Sequence, residues 1–158
     1  MRGITVDIEI ASANWDAEPK AEACVREALA AAAVHVPGEG DVSVLLADDA
    51  AVRVLNRDWR HIDKATNVLS FPAPKQPAGE PTLGDIAIAY ETVAREAAEE
   101  GKPFLHHLAH LAVHGYLHLM GYDHQTDSEA DAMEALEREI LRALRIPDPY
   151  RAEATDAA

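Results

Sequence analysis

The stretch HGYLHLMGYDH, His114 to His124, constrains what this chain can fold into more than any other segment. His114 and His118 stand at i and i+4, a pair that one face of a helix presents together. Gly121 follows where a left-handed cap can end that helix, so the chain can reverse and carry His124 back toward His118. His107 and His110 fall on the same face. At about 1.5 Å rise per residue, His110 and His118 lie roughly 12 Å apart along the axis, whereas zinc–nitrogen bonds are about 2.0–2.1 Å. Only one i, i+4 pair can chelate, and a third histidine beyond Gly121 favours His114 with His118 over His110 with His114. Three imidazoles leave a fourth position open, the pattern of a catalytic zinc. A lone histidine is ordinarily a core or surface residue, but this spaced triplet is hard to explain that way. His106, His107 and His110 take the ordinary reading, with His110 placed where it could stand behind a ligand.

The spacing matches the metzincin peptidases, H-E-x-x-H-x-x-G-x-x-H, except that Gly115 replaces the glutamate. That glutamate takes a proton from the metal-bound water. Without it a peptidase loses its base, although zinc alone brings the pKa of water near about 7. Glycine also costs about 1 kcal/mol in a helix interior relative to alanine. Gly115 therefore serves either close packing or access of a substrate to the backbone.

The remaining elements follow from periodicity and punctuation. Ile4, Val6, Ile8 and Ile10 alternate with polar residues as a half-buried strand does. Pro19 opens an Ala-rich helix to about Val34, closed by Pro37, Gly38 and Gly40. Val42 to Leu46 is a second strand, and Asp48 or Asp49 can cap a helix through Ala51, Val52 and Leu55. Asn67 to Phe71, stopped by Pro72, is a third strand. Residues 72–82 carry four prolines and a glycine, a loop that either borders a site or is a tolerated insertion. Gly84 to Ala89 is the fourth strand, and Tyr90 to Glu100 a helix stopped at Gly101. Pro103 fits the first turn of the histidine helix. Thr126 and Glu129 have capping-box spacing and begin a last helix with a stripe of Met133, Leu136, Ile140 and Leu144. Four strands interleaved with five helices make a layered α/β or α+β protein. At 158 residues and 48% hydrophobic, one domain over residues 1–146 is expected, with 147–158 a flexible tail.

Charge and cysteine narrow the function. A net charge of −14 opposes any broad affinity for nucleic acid, because phosphate binding needs positive surface. Aromatic residues make up 5%, too few for a broad base-stacking platform. Cys24 is the one cysteine and lies on a helical apolar stripe with Ala21, Val25 and Ala28, so a buried structural thiol is expected rather than a nucleophile. No signal peptide and no bilayer-length stretch stand out, and a cytoplasmic, soluble protein is expected.

HGYLHLMGYDH resembles the H-G-x-L-H-L-x-G-Y-D-H signature of the bacterial YbeY family, zinc-dependent endoribonucleases of ribosomal RNA maturation. LNRDWRHIDKATNVLSFP, Leu55 to Pro72, and LGDIAIA, Leu83 to Ala89, agree in order and spacing, and the likeness spans residues 4 to 145. It implies an α+β domain with a mixed sheet of about four strands flanked by helices. It implies one Zn2+ per chain on His114, His118 and His124, with Arg60 as the functional arginine. It also implies RNA as substrate: ribosomal RNA and ribosomal subunits as partners, ribosome-associated proteins besides, a part in ribosome quality control, and no membrane. Asn67 stands where many members have aspartate.

Local positive charge is densest at Arg53, Arg57, Arg60, His61 and Lys64, where helical spacing would gather most of the cations on one side. Pairing with Asp58 and Asp63 is the competing explanation for all but Arg60. Three functions fit: a metal-dependent endoribonuclease, a zinc hydrolase akin to the metzincins, or a ribosome-biogenesis factor with a mainly structural zinc. Gly115 counts against the second.

Overall fold

The computed structural model describes residues 3–74 and 81–150. Four strands, β1 (Ile4–Ile10), β2 (Gly40–Ala47), β3 (Val68–Pro72) and β4 (Thr82–Ala89), form one sheet in the order β1-β2-β4-β3. β1, β2 and β4 are parallel, while β3 runs antiparallel to β4 at the edge. The helices are α1 (Ala21–His35), α2 (Asp49–Arg60), α3 (Tyr90–Glu100), α4 (Phe104–Leu119) and α5 (Asp127–Ala143). This is the expected single α+β domain with a mixed sheet. Among the described residues, no helix is long and apolar enough to cross a membrane.

Strand alternation sends successive side chains to opposite faces, and that divides the core. Val42, Val44, Leu46, Ile86 and Ile88 bury themselves against α1, α4 and α5 in the larger cluster. Ala47, Leu69, Ala87 and Ala89 meet Val52 of α2 in the smaller one. The histidine helix and α2 therefore occupy opposite faces of the sheet.

Local boundaries depart slightly from expectation. α1 begins at Ala21, after a turn at Pro19 and Lys20. Pro103 is the N-cap of α4 and stands just before its first turn. β3 ends at Pro72, which is its last residue; on an edge strand its missing N–H need not break the ladder. A short 3-10 turn at Ala13–Ala17, capped by Ser12, was not foreseen, and it places Trp15 to donate to the Ala47 carbonyl at 2.9 Å. Of the expected tail, residues 151–158 lie outside the described residues. Its first part is not frayed: Asp148 accepts from Arg138, and the Tyr150 hydroxyl donates to Glu137. Cys24 is half-buried, donates to the Leu105 carbonyl at 3.3 Å, and is pushed up to about 11, first by burial and then by Glu27. That thiol is structural.

Candidate metal centre and the groove on the opposite face

α4 forms where a run of Leu, Ala and His residues packs against the sheet, and its end is set by Gly121. The Gly121 N–H donates to the His118 carbonyl at 3.1 Å and the Tyr122 N–H to that of Leu117 at 3.0 Å. This is a Schellman closure. Gly121 takes φ +96°, a backbone conformation that glycine adopts without a Cβ penalty. The chain then turns, Asp123 accepts from the His124 N–H at 2.8 Å, and the Thr126–Glu129 capping box opens α5.

That reversal brings the three expected histidines together. One ring nitrogen from each of His114, His118 and His124 lies within 4.8 Å of the others. Nε2 of His114 and Nε2 of His118 are 3.1 Å apart, close to the about 3.3 Å edge of a tetrahedron with zinc–nitrogen bonds of about 2.0–2.1 Å. Burial, then the neighbouring His114 and His124, holds the His118 pKa below the usual histidine range. Neutral imidazole is the form a metal needs. The donor set and its geometry fit a divalent cation with an open position.

One residue of the site is not singled out by the sequence. Glu137 of α5 is fully buried, and its carboxylate accepts from His110 Nε2 at 2.8 Å and His114 Nδ1 at 2.7 Å. Burial alone would raise its pKa, but the two histidine hydrogen bonds outweigh burial and hold it at about 2. The signal was present: Glu137 occupies a core position of the Met133, Ile140 and Leu141 stripe, where a carboxylate needs partners. His110 thus stands behind His114, as its spacing allowed. Of the two roles open to Gly115, close packing is the one seen: a Cβ there would lie 3.1 Å from Ile86 and 3.2 Å from the Ser70 hydroxyl. Gly115 is a packing glycine, and a side chain there would be driven into the sheet.

Arg60 is not beside the histidines. It ends α2 and lines a groove of about 950 Å³ on the α2 face, with Trp59, Leu55 and Phe71. The groove also carries Asp7, Glu9 and Asp85, so Arg60 is its one Lys or Arg among the described residues. Arg53 pairs with Asp63 at 2.7 Å and Arg57 with Asp58 at 3.0 Å, both on the surface. Arg60 has no ion pair among the described residues. Lys64 falls beyond α2, which ends with His61 in the left-handed region at φ 62°. Ala73, Pro74 and Thr82 border the groove; the intervening 75–80 lie outside the described residues. Asn67 donates to Glu96 at 3.0 Å, a contact that an aspartate would turn into repulsion between carboxylates.

The sequence pattern of the family described as Endoribonuclease YbeY matches residues 7–145. The chain belongs to the YbeY endoribonuclease family. Its YbeY relatives include an endoribonuclease YbeY of Rhodopseudomonas palustris strain BisA53, 58% identical over 152 residues, covering 91% of this chain and 88% of that protein. Another, from Bradyrhizobium diazoefficiens, is 60% identical over 146 residues, covering 86% and 79%. The fold resembles a Thermotoga maritima protein solved in solution, with a TM-score of 0.59 at 24% identity over 89% of this chain and 92% of that one.

Proposed function

We propose that this YbeY protein is a zinc-dependent endoribonuclease that acts on ribosomal RNA in the cytoplasm, with His114, His118 and His124 as the ligands of one ion. The convergence of three imidazole nitrogens within 4.8 Å, in a family of endoribonucleases, carries this reading. Bound there, zinc supplies a Lewis acid with a free coordination position. His118, kept neutral by burial and its neighbours, offers a lone pair to the ion. Arg60 contacts a phosphate of the same strand and stabilises charge on it. Because α2 and α4 flank opposite faces of the sheet, an RNA that reaches both passes around an edge of the sheet, and β3 is one of its two edge strands. No carboxylate stands at position 115 to act as the base of a peptidase, and the tight packing there argues against the metzincin alternative. Ribosomal subunits and ribosome-associated proteins are the partners that accompany this role.

The test is cleavage of a defined ribosomal RNA fragment by purified protein, before and after chelation and after adding back zinc. Cutting lost on chelation and restored by zinc is expected. Cutting that survives full metal removal would refute the zinc role. The product ends separate the two attacking groups: a 2′,3′-cyclic phosphate marks the 2′-hydroxyl, and a directly formed linear phosphate marks water.

A further inference from the structure

We propose that Glu137 is a positioning residue of the metal centre, which fixes the tautomer and ring orientation of His114 and is itself held by His110 and Tyr150. The inference rests on the reading that His114 is a metal ligand.

Glu137 is 0% exposed among Met133, Ile140 and Leu141. A bare carboxylate there is costly, and apolar replacement of a buried charged cluster is often neutral or stabilising. The cluster is also imperfect as a structural device, because buried Nδ1 of His110 has no hydrogen-bond partner among the described residues. What the carboxylate does achieve is local to the ligand. It accepts from Nδ1 of His114 at 2.7 Å, so the proton sits on Nδ1 and the Nε2 lone pair faces His118. Such an outer carboxylate raises the basicity of a ligating imidazole and fixes its plane. Its other oxygen accepts from His110 Nε2 and from the Tyr150 hydroxyl. Tyr150 arrives on a segment pinned by Asp148, which accepts from the Tyr150 N–H at 2.8 Å and pairs with Arg138. The C-terminal segment thus reaches the back of the metal centre through one buried carboxylate.

The test compares wild type, Glu137→Gln and Tyr150→Phe by zinc competition against a chelator, and by long-range proton–nitrogen NMR of the histidine rings. The melting of each metal-free protein is followed in parallel. Glutamine has the same shape but cannot accept from both rings. It should weaken zinc binding about 10- to 100-fold and abolish the dominance of the Nδ1–H form of His114. Tyr150→Phe should weaken binding several-fold with the fold retained. Wild-type affinity within twofold for Glu137→Gln, with His114 unchanged, overturns the proposal. If that variant does not fold, wild-type affinity and an unchanged His114 signal in Tyr150→Phe overturn it instead. A wild-type protein that binds no zinc would remove the three-histidine reading, while the His114 tautomer in the metal-free proteins still decides the role of Glu137.

Discussion

Arg60 is the arginine of α2 that has no ion pair among the described residues, and its proposed role is tested at that one side chain. Its neighbours Arg53 and Arg57 are engaged with Asp63 and Asp58, while Arg60 shares its groove with Asp7, Glu9 and Asp85. A charged hydrogen bond to phosphate is typically worth about 1.5–3 kcal/mol. Arg60→Glu is expected to cut RNA cleavage roughly tenfold to more than a hundredfold, with zinc content and melting temperature unchanged. Arg60→Lys should fall between, because lysine lacks the paired donors. Equal losses of melting and activity would make the residue structural, and no loss in either would make it a bystander. His107 offers a second test at this scale. Burial lowers its pKa despite a 2.8 Å hydrogen bond to Glu96. A histidine whose folded pKa is depressed binds its proton more readily when unfolded. Its contribution is therefore complete above the unfolded value of about 6.5 and is lost as pH falls through the window below it. Urea melts of metal-free protein should show stability falling in that window, with a shallower fall for His107→Gln; identical slopes would exclude His107 as the cause.

Among the elements, those with local causes were legible from sequence and those with distant causes were not. The Gly121 stop and the Thr126–Glu129 capping box each depend on residues a few positions apart, and both stand where spacing placed them. The convergence of His114, His118 and His124 was legible for the same reason. The strand order and the antiparallel pairing of β3 depend on contacts between distant segments, which no local pattern encodes. The same reason hid the partners of Glu137, since His110 and His114 lie 27 and 23 positions away. The resemblance supplied Arg60 without its placement on the face opposite α4. Gly121 carries the sharpest test of the element that was legible. An L-residue in a left-handed conformation costs roughly 1–2 kcal/mol, and the turn there aims His124. Gly121→Ala is expected to lower stability by about that amount and to weaken zinc binding more than a remote substitution of equal thermal cost. Unchanged zinc affinity would show that His124 is not held by this turn.

For the whole molecule, the net charge of −14 sets the terms on which RNA can bind. In the proposed reading, attraction comes from a few places: an ion held at the end of α4 and Arg60 in an otherwise acidic groove. Each lies on its own side of the sheet, whose edges are β1 and β3. The ion matters most in that reading, since a divalent cation is the largest local charge at such a site. The most direct measurement is therefore the cleavage of one defined RNA by wild type and His118→Ala, purified identically, with zinc content measured on the same samples. Wild type should carry close to one zinc per chain and cut, while His118→Ala should lose both the zinc and the cutting without unfolding. Full zinc occupancy in His118→Ala, or cutting at the wild-type rate by the zinc-free variant, would contradict the three-histidine centre.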